Sequence, residues 1–208
     1  MTIRIVGVTG SLRAPSKTIA LVEAIAHDLA NRFDADVEFV RVHELGPQLA
    51  GALTRADLPP AVEDALVAIE TADVLVVASP VYRASFTGLF KHLFDFVDQY
   101  SLVDTPILLA ATGGSERHAL IIEHQFRPLF AFFQALTLPV GVYAHDSDFT
   151  EYRITSPRLA DRIAKAGAKA QPFIAARLAE RELIERTLAG EVGPTITHDA
   201  RKPVRLLS

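Results

Sequence analysis

The chain has 208 residues, half of them hydrophobic, a formal net charge of -4 and no cysteine or tryptophan. Such a length suits one domain with a full-sized core, and the mild acidity leaves no electrostatic footprint for nucleic acid or an anionic membrane. Absence of cysteine removes disulfides, thiol catalysis and thiolate metal sites. No apolar run approaches the ~18 residues of a membrane span or forms a signal-peptide core, so a soluble cytoplasmic protein with a small-molecule partner is expected.

In chain order, the β-branched run Ile3-Arg4-Ile5-Val6-Gly7-Val8 predicts a strand over 3–8, followed by a helix over 17–32 and a strand over 37–42. The segment 43–59, with Gly46, Pro47, Gly51 and the pair Pro59-Pro60, is expected to be an irregular connection. Alternation then resumes with helix 60–71, strand 73–79, helix 87–98, strand 106–112, helix 116–135, strand 138–144 and a long helix over 156–188. Five βα repeats predict a doubly wound α/β fold built on a five-stranded parallel sheet. Strands 3–8, 74–79 and 106–112 are almost continuously apolar, as they should be when helices cover both faces. Residues 1–190 are read as a single domain, and 191–208, which lack a helical period, as a C-terminal tail.

In such sheets ligands sit at the carboxyl ends of the strands. The first loop to test is therefore Val8-Thr9-Gly10-Ser11-Leu12-Arg13-Ala14-Pro15-Ser16-Lys17-Thr18. It is not a Walker A loop, because five residues separate Gly10 from Ser16-Lys17-Thr18 and serine replaces the second glycine. Nor does Gly7-Val8-Thr9-Gly10 make a dinucleotide fingerprint, for which the third glycine is missing. What remains is a hydroxyl-rich loop with one guanidinium that feeds a helix N-terminus. Free amides, a helix dipole, hydroxyls and a cation together suit a terminal phosphate monoester. FMN ends in such a group, whereas FAD and NAD do not. Taken alone, the loop also allows a plainer reading, in which Ser16 or Thr18 caps the helix and Arg13 lies in solvent.

Two further loops fall on the same edge. After strand 73–79 comes Ser79-Pro80-Val81-Tyr82-Arg83-Ala84-Ser85-Phe86-Thr87-Gly88, where Pro80 forces the chain out of the ladder. After strand 106–112 comes Thr112-Gly113-Gly114-Ser115, whose paired glycines let main chain approach a flat ligand. Each alone reads equally well as an ordinary strand-to-helix turn, but three on one edge point to a site.

Together the motifs Gly10-Ser11-x-Arg13-x-x-Ser16-x-Thr18, Pro80-Val81-Tyr82-x-x-Ser85-x-x-Gly88-x-x-Lys91 and Thr112-Gly113-Gly114-Ser115-x-x-His118 resemble the NAD(P)H-dependent FMN reductases of flavodoxin-like fold. The similarity is greatest to the branch serving sulfonate and related two-component monooxygenases, and it covers about residues 3–175. It implies a sheet order of 2-1-3-4-5, with FMN and NADH or NADPH as cofactors. It puts the FMN phosphate on Ser11, Arg13, Ser16 and Thr18, with Lys17 beside them, and the flavin ring against Pro80, Val81, Tyr82 and Arg83 and the loop Thr112, Gly113, Gly114, Ser115. His118 could touch the flavin edge or the nicotinamide, or be a solvated or helix-start histidine. The implied partners are a flavin-dependent monooxygenase and other copies of the chain, as a dimer or homotetramer.

Hydride passes between cofactors in such enzymes, so no catalytic acid or base is named. The seven histidines show no ligand-like i, i+4 pair, and no metal site is expected. Asp146/Asp148 and Glu116/Glu123 are read as solvated turn or helix-face carboxylates. Two rivals remain: an FMN-retaining quinone or azo reductase, and a flavodoxin-type electron carrier.

The helix expected over 116–135 carries apolar residues almost all round, from Leu120 to Phe133, so a second side should meet another subunit. Inside it stands Pro128, which has no amide hydrogen and crowds the carbonyl of His124. Such a break is absorbed as a kink or as a π-bulge. The resemblance implies a π-helix at the subunit contact with an inserted aromatic or histidine, here His124; a plain proline kink with His124 exposed is the alternative.

Overall fold

The computed structural model describes residues 2–190, and the proposed tail 191–208 lies outside the described residues. At its centre is a parallel sheet built from β1 (Ile3–Thr9), β2 (Ala35–Arg41), β3 (Val74–Pro80), β4 (Pro106–Gly113) and β5 (Leu136–Thr137), in the order β2-β1-β3-β4-β5. A sixth strand, β6 (Val142–His145), continues along the same side of β4 after β5. The single strand expected over 138–144 is therefore two short pieces, separated by a stretch holding Pro139 and Gly141. Pro139 has no amide to offer a ladder.

Helices cover both faces. On one lie α1 (Lys17–Ala30) and α6 (Pro157–Leu188), whose Leu21, Ile25, Leu29, Leu159 and Ile163 pack on Ile5, Val74, Val76 and Leu108. On the other lie α2 (Val42–Leu49), α3 (Pro60–Glu70), α4 (Gly88–Asp95) and α5 (Arg127–Phe132), around Val6, Val8, Leu75, Val77 and Leu109. The aromatic rings of Phe86, Phe90, Phe94, Phe126 and Phe130 form a chain of contacts with centroids 4.9 to 5.6 Å apart. Alternation along β1, β3 and β4 sends successive apolar residues into two different cores, which is why these strands read as unbroken runs.

Three further expectations need correction. Residues 43–59 are irregular only in part: α2 runs through Gly46 and Pro47, because burial of Val42 and Leu49 holds the helix together, and Arg55–Asp57 form a 3-10 turn, while 50–54 and 58–59 are the expected irregular connection. No continuous helix spans 116–135. That segment is a 3-10 turn (Glu116–His118), a π-helix (Ile122–Phe126) and then α5. Pro128 cannot donate, and the wider turn ends with Arg127 N donating to Ile122 O, five residues back. Finally, an antiparallel hairpin of β7 (Phe149–Thr150) and β8 (Arg153–Ile154) follows β6, where no element was expected. Among the described residues no helix is long and apolar enough to cross a membrane.

Candidate functional site

The sheet brings the loops after β1, β3 and β4 to one edge. Gly10 anchors the first: its amide donates to Ala78 O at 2.7 Å, and its carbonyl accepts from the buried Thr87 hydroxyl at 2.7 Å. Thr87 N in turn donates to Ser79 Oγ at 3.0 Å, so the loops after β1 and β3 are stitched together. Glycine is required at position 10, because a Cβ there would come within 2.8 Å of Ser79 Cβ.

Ser16 caps α1, its hydroxyl accepting from Thr18 N at 3.1 Å. The Lys17 and Ile19 amides of the same first turn have no acceptor within the helix. The Ser11 hydroxyl folds back to donate to Arg13 O at 2.9 Å, while the Arg13 side chain is exposed. Deeper in, the Thr18 and Thr112 hydroxyls share a buried hydrogen bond of 2.7 Å, which joins the start of α1 to the end of β4. Thr9 is fully buried and its hydroxyl has no partner among the described residues. It shares a strand face with Gly7, which packs on Val22 of α1, so this unmet polar group also lies on the α1 side.

Ser11, Arg13, Ser16, Lys17, Thr18 and Thr112 line a cleft of about 380 Å³, which Thr9 does not border. Of the residues expected to bind cofactor, Ser11, Arg13, Ser16, Lys17, Thr18, Pro80, Tyr82 and Thr112 border it. Val81 and Arg83 border an open hollow that shares Tyr82 with the cleft. Tyr82 is 48% exposed and is held by a two-residue hairpin: its amide and carbonyl both bond to Ser85, at 2.8 and 3.0 Å, with Arg83 and Ala84 at φ 51 and 64. That is the left-handed turn glycine and asparagine usually make.

Gly113, Gly114, Ser115 and His118 do not border the cleft. Gly113 has an internal reason to be glycine: a Cβ would overlap the Tyr143 hydroxyl, which donates to Ser115 O at 2.6 Å. His118 closes the 3-10 turn, its amide donating to Ser115 O. His124 lies in the middle of the π-helix and is exposed, as are Leu120 and Phe132 nearby in sequence. The Ser85 hydroxyl donates to Gln125 Oε1 at 3.0 Å, connecting the Tyr82 hairpin to that π-helix.

The cleft also has a wall that sequence reasoning missed: Pro15, Asp146, Phe149, Glu151 and Tyr152. Asp146 is not simply a solvated turn residue. Its carboxylate accepts from Lys17 Nζ at 2.8 Å across the cleft, because β6 ends beside the start of α1. Asp148, by contrast, does the local work of a turn, accepting from His145 N at 2.8 Å. The turn Glu151-Tyr152 again has two positive φ values, 47 and 65, without glycine.

The polar content fits a flavin mononucleotide better than a purely apolar ligand: cations and hydroxyls gather at a helix start, and an aromatic and proline wall stands beside them. Comparison with known proteins agrees. Residues 3–150 match the family of NADPH-dependent FMN reductases. NADH-dependent FMN reductase SfnE of Pseudomonas putida is 51% identical over 180 residues, covering 86% of this chain and 97% of the relative. An NADPH-linked FMN reductase of Pseudomonas aeruginosa is 47% identical over 174 residues, covering 84% and 94%. The crystal structure of an oxidoreductase from Corynebacterium diphtheriae superposes with a TM-score of 0.75 at 32% identity, over 84% of this chain and 98% of that one. With the flavodoxin-like sheet order, the loop geometry and these similarities in agreement, the chain belongs to the NADPH-dependent FMN reductase family.

Proposed function

We propose that the protein is an NAD(P)H:FMN oxidoreductase that hands reduced FMN to a separate flavin-dependent monooxygenase. The observation that carries this reading is a single cleft in which the start of α1, with Ser11, Arg13, Ser16 and Thr18, meets Pro80 and Tyr82. The first group would hold the phosphate with first-turn amides, hydroxyls and a guanidinium. The second would carry one side of the ring, with Val81, Arg83 and the Gly113-Gly114 loop at its edges. When bound, FMN supplies the redox chemistry, accepting hydride at N5 from the nicotinamide C4. The protein's share is to hold the two rings at reacting distance and exclude water between them. No side chain is assigned a proton transfer.

SfnE is called an NADH-dependent FMN reductase, which supports the reductase reading; the monooxygenase partner is our reading of the loop motifs that resemble the sulfonate branch. We place the subunit contact on the segment that exposes Leu120, His124 and Phe132, with a dimer or tetramer as the working unit in the cytoplasm. Leu120 and Phe132 are 62% and 64% exposed. Residues 1–190 would act as one domain.

The test is a steady-state assay with NADH and with NADPH against FMN, FAD and riboflavin. FMN should give the highest kcat/KM, with free reduced flavin as product. Negligible nicotinamide oxidation by a protein purified yellow would instead identify an electron carrier. Tight FMN with quinone or azo-dye turnover would identify a flavin-retaining reductase.

A further inference from the structure

We propose that Asp146 and Glu151 set how readily the protein releases FMN, by placing two carboxylates at the phosphate end of the cleft. The inference rests on the reading that the phosphate lies against the start of α1. Four charged side chains border the cleft: the cations Arg13 and Lys17, and the carboxylates Asp146 and Glu151. Their formal charges cancel. The attraction that the loop Ser11–Thr18 offers an anion is therefore opposed within the same cleft.

Asp146 is placed to do this. One carboxylate oxygen holds the Lys17 ammonium at 2.8 Å, and Asp146 O accepts from the same ammonium at 3.3 Å. The other oxygen lies 3.2 Å from where a Gly114 Cβ would stand. Asp146 thus stands between the loop after β1 and the loop after β4. The Lys17 and Asp146 side chains are 31% and 57% exposed, so solvent already reaches the pair and an arriving anion can compete for the ammonium. Glu151 borders the same cleft from the turn of the β7–β8 hairpin, with φ 47.

A phosphate monoester near neutral pH carries about 1.5 to 2 negative charges. Seated here it must share Lys17 with Asp146 and tolerate Glu151 nearby, which lowers its net stabilisation. Riboflavin, the same ring system without phosphate, feels neither carboxylate. The arrangement suits a flavin that arrives, is reduced and leaves, in contrast to one retained as a prosthetic group.

Wild type, Asp146→Asn and Glu151→Gln are titrated with FMN and with riboflavin at low and at high salt, and FMN release is timed by stopped flow. Each substitution should tighten FMN about fivefold at low salt, the scale of one exposed charge pair. The gain should appear mainly in the release rate and shrink at high salt. Riboflavin affinity should not change. Unaltered FMN affinity in both variants would overturn the proposal. Weaker FMN in Asp146→Asn would also overturn it, showing that Asp146 instead holds Lys17 in place for the phosphate. Equal changes for FMN and riboflavin would mean that the residues act through cleft shape, which is again a different role. Wild-type protein that binds neither flavin would refute the FMN reading itself, and the proposal with it.

Discussion

Ser85 and Gln125, 40 residues apart, meet through a 3.0 Å hydrogen bond from the serine hydroxyl to Gln125 Oε1, which ties the Tyr82 hairpin to the π-helix. The Phe86–Phe126 ring contact lies beside it, so the hairpin at the rim of the cleft and the π-helix are joined by one polar and one aromatic contact. Ser85→Ala should cost about 1 kcal/mol of stability, the worth of a typical partly buried hydrogen bond, and should raise the KM for FMN more than it lowers kcat. Wild-type kinetics at reduced stability would show that the contact serves the fold alone.

The Thr18–Thr112 hydroxyl pair leads to a second expectation. Replacing one member leaves the other buried and unpaired, so Thr18→Val should cost about 1 to 3 kcal/mol in denaturant unfolding. Thr18→Val with Thr112→Val should cost less than the sum of the single changes, because the orphaned group is gone. Additive losses would mean that the two hydroxyls are not coupled.

For the phosphate loop, Arg13→Ala should raise the KM for FMN roughly tenfold, as expected for losing a charge-assisted hydrogen bond. The KM for riboflavin should move little. Parallel losses for both flavins would place Arg13 away from the phosphate.

Ala84 sits at φ 64, where a Cβ is crowded and glycine is not. Ala84→Gly should raise stability by about 0.5 to 1 kcal/mol. A thermal midpoint at or below that of wild type would show that the turn carries no such strain.

Away from the site, Arg55 braces the connection between α2 and α3, bonding Glu63 and Glu70 at 2.6 Å each. The side-chain hydrogen bond from Arg55 holds the Glu63 carboxyl below its ordinary value of 4.5. A depressed folded-state value means stability that is present above the unfolded value and lost as pH falls through the folded one. Arg55→Ala should therefore cost about 1 kcal/mol at neutral pH, the modest figure reflecting solvent screening. That difference should fade as pH falls below 4.5 and Glu63 takes up its proton. A penalty that stays constant into acid would assign Arg55 to packing.

Much of this architecture is legible in the amino-acid order, for a physical reason. β1, β3 and β4 lie between two cores, so nearly every position in them must be apolar; Pro80, expected to leave the ladder, is instead the last residue of β3, opposite Thr112, and the Val81 amide still donates to Thr112 O. The phosphate loop is legible because its chemistry is local in sequence. By contrast, the Asp146 partnership with Lys17 spans 129 positions, and no local pattern announces it. The hairpin carrying Glu151 is hidden as well. Its strands have two residues each, and its turn lacks the Asn-Gly or Gly-Gly pair that usually reveals a left-handed corner. In α2, Gly46 and Pro47 imitate a loop, while the burial that sustains the helix comes from distant residues. Pro128 shows the intermediate case, in which a local rule demands a break in the helix and only the three-dimensional packing decides its form.

The two exposed-edge tyrosines of the cleft, Tyr82 and Tyr152, also make the protein a convenient optical instrument. With no tryptophan and four tyrosines, half of its intrinsic emitters stand against the space assigned to the flavin. A flavin bound against these rings should quench that light by electron transfer at contact, free of any indole background. Occupancy could then be followed in real time on the unlabelled protein, and Tyr82→Phe or Tyr152→Phe would tell which ring reports it.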